Sequence, residues 1–141
     1  MEPDLMSIRY RVHRNLQVVH LVIDSTAEED DLCAYGEQVA SDGDCESGFD
    51  RVVEFARNGH GPNGSLTIRA LYRLLPPSSR IQRAVVAPGD LDFGISRQFQ
   101  LVYDLPDEQF GVFRDLAEAL DWLGVETPQT EWSAWRSVGR S

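Results

Sequence analysis

The chain has 141 residues, 42% hydrophobic and 26% charged, which fits one globular domain with a buried core. Its net charge of −10 excludes the broad basic surface that nucleic acid or an anionic membrane requires. All 13 basic residues are arginine, so a lysine Schiff base and a P-loop lysine are excluded too.

The first element is SIRYRVH, residues 7–13, which alternates. Ile8, Tyr10 and Val12 fall on one face and Arg9, Arg11 and His13 on the other, the pattern of a half-exposed edge strand. A turn at Arg14-Asn15 leads to LQVVHLVID, a nearly continuous apolar strand that reads as buried on both faces. His20 inside it reads as a hydrogen-bonded core histidine. Thr26 and Glu29 then form a capping box, and Leu32, Tyr35, Gly36 and Val39 mark a helix over 26–41. The acidic run 28–31 reads as its solvated start.

FDRVVEF is the third strand, with Phe49, Arg51, Val53 and Phe55 on one face. The turn-rich ARNGHGPNG follows. Ser65 is placed to cap a second helix with the stripe Ile68, Leu71, Tyr72 and Leu75, ended by Pro76-Pro77. RAVVA is the fourth strand, and Pro88-Gly89-Asp90 reads as a tight turn plus a helix cap. In the helix 90–103 the stripe Leu91, Ile95, Phe99 and Val102 is expected inside, leaving Phe93, Arg97 and Gln100 outside. QFGVF is a fifth strand. Asp115 and Glu118 cap a fourth helix with Leu116, Ala119, Leu120 and Leu123 inward and Gly124 at its end. The expected fold is α/β: a mixed, mostly parallel sheet of about five strands with four helices, over residues 1–125. Residues 126–141 read as an appended tail, in which Trp132 and Trp135 stand three apart and are expected to dock together on an apolar surface.

No apolar run approaches the roughly 20 residues of a membrane span, and the acidic MEPDLMSIRY is unlike a signal peptide. The expectation is a cytoplasmic protein with Cys33 and Cys45 as free thiols, and with neither membrane nor nucleic acid as partner.

Chemical motifs are sparse. GDLDFG lacks the third glycine of a dinucleotide fingerprint. DGDCESGFDRVV starts like a calcium loop but has Ser47 and Val53 where Gly and Glu are needed. The cysteines and histidines have no zinc-ligand spacing, and there is no G-x-S-x-G elbow. No cofactor and no metal is expected. Ligands of open α/β sheets sit beyond the carboxyl ends of the parallel strands, which makes Asp24, Glu54, His60 and Asp90 a candidate rim. An enzyme here would have to use Glu54 with His60. On the outward face of helix 90–103, an aromatic beside an arginine has the composition of an interface anchor.

Two segments carry a family resemblance. Phe93-Gly94-x-x-Arg97-x-Phe99, after a strand ending in Ala87-Pro88, and Phe113-Arg114-Asp115-x-x-x-Ala119-x-x-Trp122-Leu123 resemble the SpoIIAA-like family, also described as STAS-like or STAS/Sec14-like. The likeness covers roughly residues 7–125 and implies the same element order. The better-known relatives are anti-sigma-factor antagonists with a phosphorylatable serine at the start of the second helix. Ser65 is the hydroxyl at that place, but no Asp precedes it. The resemblance implies a non-enzymatic regulatory or protein-binding module. Phe93, Arg97, Gln100, Trp132 and Trp135 would be its contacts with a protein partner or with a second copy in a homodimer. The Sec14-like side implies the alternative, a carrier of a small apolar ligand, which needs a pocket of about 300 Å³ or more with apolar walls.

Overall fold

The computed structural model describes residues 8–24, 27–43, 45, 48–56, 65–77, 80–125 and 132–138, with backbone alone for 65 and 66. The elements in order are β1 (Ile8–His13), β2 (Val18–Ile23), α1 (Glu29–Ala40), β3 (Asp50–Phe55), α2 (Ser65–Leu74), β4 (Arg83–Val86), α3 (Asp90–Val102), β5 (Phe110–Phe113), α4 (Leu116–Leu123) and β6 (Arg136–Val138). They form an α/β fold around one six-stranded mixed sheet of order β5-β4-β3-β2-β1-β6. Strands β2 to β5 are parallel, and β1 is antiparallel to both β2 and β6.

The topology follows from handedness. Each step from β2 to β5 moves one place in the same direction, so three right-handed crossovers place α1, α2 and α3 on one face. That face holds the larger core: Ile8, Tyr10, Leu21, Val53 and Val85 of the sheet against Leu32, Tyr35, Leu71, Leu74 and Phe99 of the helices. The other face carries α4, whose Ala119 and Leu120 cover Val52, Ala84 and Val86. The central strand β2 is buried at all six positions, as a strand covered on both sides must be.

Local capping accounts for several boundaries. Asp115 accepts the Glu118 amide at 2.9 Å, and Gly124 ends α4 at φ 82. The capping box of α1 is Glu28 with Asp31, not Thr26 with Glu29; Thr26 lies outside the described residues. Asp31 is buried rather than solvated, because its carboxylate accepts the Glu28 amide at 2.8 Å. Asp90 begins α3 without capping it; its carboxylate instead pairs with Arg114 at 2.8 Å.

Two expectations about the sheet are corrected. Strand β1 is not an edge, because residues 132–138 return to pair with it as a sixth strand. The two tryptophans therefore belong to extended chain, not to a helical turn. His13 faces Trp132 and Tyr10 faces Arg136, so three steps along β1 match four along the tail. The extra residue is a bulge, and it brings residues three apart in an extended chain onto one side of the sheet.

The apolar stripe of α3 is also corrected. Its buried residues are Asp92, Ser96, Phe99 and Gln100, a face turned by about one residue, roughly 100°, from the expected one. Leu91 is exposed and Val102 is 69% exposed. The turn has a polar cause. Thr67 of α2 donates to Asp92 at 2.7 Å, and the Gln100 amide donates to the Leu105 and Phe110 carbonyls at 3.1 Å each and to Asp107 at 2.9 Å. These bonds satisfy backbone and carboxylate acceptors that burial would otherwise leave costly.

Candidate functional site

Of the expected rim, Glu54 and Asp90 have partners within the chain. Glu54 lies on the α4 side of the sheet, where its Oε1 accepts from His20 Nε2 at 2.8 Å. Asp90 is engaged with Arg114, and the Ala27 amide donates to the backbone carbonyl of Asp24 at 3.1 Å. His60 lies outside the described residues, as does the side chain of Ser65, which is the first residue of α2.

His20 is 1% exposed and both its ring nitrogens are used. Arg11 Nε donates to Nδ1 at 3.0 Å. A guanidinium can only donate, so the proton sits on Nε2 and points at Glu54. Burial pushes the imidazole below its ordinary 6.5, with the Glu54 hydrogen bond opposing. The tail closes this cluster. The Arg11 guanidinium carbon lies 4.4 Å from the Trp132 ring centroid and 4.7 Å from that of Trp135, and Arg9 lies 4.4 Å from Trp135. Both indoles also meet the His20 ring edge, at 5.9 and 5.2 Å. Trp132 also packs on the apolar cluster of the α4 side, as expected, whereas the ring contacts of Trp135 are with cations and a histidine. Within one chain this is a clasp: no nitrogen of His20 is left to take a proton from a substrate.

The other expected contacts are placed as follows. Phe93 is half-buried, packed on the larger core and under Arg114 at 4.1 Å. Arg97 is exposed and donates to Gln100 Oε1 at 3.3 Å. Gln100 is buried and clamps the turn into β5, so it offers nothing to a partner. Arg114 thus joins the two family-like segments, stacking on Phe93 and pairing with Asp90.

The site that sequence reasoning missed lies between α1 and α2. A groove of about 1330 Å³ runs between them down to the sheet. Leu32 and Val39 of α1, with Ile68, Tyr72 and Leu74 of α2, give it apolar walls. Glu29 receives Arg69 at 2.8 Å and Arg73 at 2.7 Å, exposed pairs that tie the two helices together beside it. Gly36 lines the groove, and a methyl group added there would meet nothing within 4 Å. Arg51 of β3 also lines it, beside Tyr35. The signal in the sequence was Arg51 itself, a cation on the face of β3 otherwise made of Phe49, Val53 and Phe55.

No helix among the described residues is long and apolar enough to cross a membrane, and none of their His, Cys, Asp and Glu side chains gather in a group of three or more able to hold a metal ion. Comparison with family models, with curated proteins and with solved structures finds no match for this chain.

Proposed function

We propose that this chain is a SpoIIAA-like, STAS-like module that binds a small, largely apolar ligand between α1 and α2 and does not transform it. The α1–α2 groove carries the reading. It is above the ~300 Å³ that a drug-sized ligand needs, and apolar side chains supply its walls. The two motif segments and the β-β-α-β-α-β-α-β-α order of residues 8–123, before β6, support the family assignment. A binding role fits the use of both His20 nitrogens in internal hydrogen bonds. The test is a fluorescence titration with N-phenyl-1-naphthylamine. Saturable binding is expected in the native chain, and it should be weakened in Gly36→Trp, which places an indole at the groove lining from a position where a Cβ has free space. Absence of saturable binding to the native chain ends this reading.

A second reading, a protein-binding surface, is favoured by one observation. Ile68 and Tyr72 of α2 and Leu101, Val102 and Tyr103 at the end of α3 are all exposed, and Tyr72 and Tyr103 meet at 5.9 Å. This surface, rather than Phe93 and Gln100, is where a second copy would dock. Light scattering of Val102→Glu against the native chain tests it, with loss of a dimer expected.

A further inference from the structure

Arg51 and Arg83 are paired in register on the parallel strands β3 and β4, and both side chains lie on the face covered by α1, α2 and α3. Arg83 is fully buried, and its guanidinium is held by carbonyls alone, at Pro76 from Nη1 at 2.8 Å and at Ile81 from Nε at 3.2 Å. Arg51 is half-buried, and its Nε is enclosed without a hydrogen-bond partner. Among the described residues neither arginine has a carboxylate partner. An enclosed guanidinium nitrogen without a hydrogen-bond partner or a counter-charge is costly.

The surroundings repeat the imbalance. The groove lining holds three arginines, Arg51, Arg69 and Arg73, against two glutamates, Glu29 and Glu37. Its charge is therefore positive in a chain whose net charge is −10. Beside Arg51, the Tyr35 hydroxyl is buried with no partner. Burial pushes its ionisation well above the ordinary 10.0, the charge of Arg51 opposing, so it stays a donor.

We propose that the α1–α2 groove takes an amphipathic anion, an aliphatic chain ending in a carboxylate, with the chain between the helices and the carboxylate on the Arg51 guanidinium. This rests on the groove being a ligand site and adds the chemistry of the ligand. A carboxylate supplies the missing counter-charge and accepts charge-assisted hydrogen bonds from a guanidinium. Leu32, Val39 and Leu74 cover the chain.

The test is isothermal titration with three probes of equal chain length: dodecanoate, dodecanol and dodecyltrimethylammonium, each below its micelle concentration. Dodecanoate is expected to bind the native chain at least tenfold more tightly than dodecanol, and the cation weakest of all. Arg51→Met should cut dodecanoate affinity at least tenfold and leave dodecanol unchanged, which also shows that the variant is folded. Its melting temperature without ligand should equal or exceed that of the native chain, because an enclosed guanidinium nitrogen without a partner has been removed. If the three probes bind alike, the head-group assignment is wrong while the groove remains a ligand site. If none of them binds, both readings fall together. The native-chain comparison decides the matter even if Arg51→Met does not fold.

Discussion

The Thr67 hydroxyl donates to Asp92 Oδ1 at 2.7 Å, with both side chains buried between α2 and α3. This one bond joins two helices whose apolar stripes point partly to solvent. Breaking it from one side leaves a buried group without a partner, which costs about 1–3 kcal/mol. Thr67→Val should therefore destabilise by about that much. Thr67→Val with Asp92→Leu should recover part of the loss, since removing both polar partners is cheaper than removing one. Urea denaturation of the two single variants and the double variant measures the coupling. Additive losses would show that the pair contributes nothing as a pair.

The same bond explains what could and could not be read from the residues alone. The caps of α4 were legible because they are local: Asp115 reaches an amide three residues on, and Gly124 sits where a left-handed residue is needed. The alternating strands and their parallel order were legible from hydrophobic patterning. The facing of α3 was not. Counting apolar residues favours Leu91, Ile95 and Val102, but the buried face is chosen by Thr67, 25 residues away, and by the 105–110 turn that Gln100 holds. Strand β6 was hidden for the same reason, since its pairing with β1 spans nearly the whole chain. Arg51 was visible as a cation on an apolar face, but its juxtaposition with Arg83 depends on the β3–β4 register.

The His20 cluster makes stability depend on pH in a defined direction. Burial pushes the folded imidazole below the ordinary 6.5 that it has in the unfolded chain. Below that pH the unfolded chain takes up a proton that the native state refuses. This contribution to stability is complete above about pH 6.5 and is lost as the pH falls below it, toward the folded value. Chemical denaturation at pH 7.5, 6.5 and 5.5 should show stability declining over the last interval. His20→Gln, which removes the titration, should flatten that decline. A decline of equal size in the variant would assign it to another group.

The C-terminal strand is held from both faces of the sheet, and its removal should be felt throughout. On the α4 side, Trp132 stacks on Arg11 and meets His13 at 5.1 Å. On the helix side, Val138 enters the larger core, and Arg136 pairs with Asp42 at 2.7 Å. Asp42 also accepts the Tyr10 hydroxyl at 2.6 Å; burial first, and then that hydrogen bond, pushes the phenol up to about 12. Ser133 adds a backbone bond to the Val12 carbonyl at 2.9 Å, and its hydroxyl accepts the Val12 amide at 3.0 Å. Trp132→Ala removes a half-buried indole together with its cation contact, an expected loss of about 2–4 kcal/mol. Trp135 is 38% exposed, so Trp135→Ala should cost about 1 kcal/mol. Deleting residues 126–141 goes further. It uncovers the Arg9–Arg11–His20 surface and leaves β1 as an open edge with unpaired amides and carbonyls, a template for pairing with another chain. The truncated protein should melt at a lower temperature and self-associate in proportion to its concentration. Thermal melting with size-exclusion chromatography at several concentrations checks both. An unchanged melting temperature in a monomeric truncation would mean that this strand adds nothing to the fold.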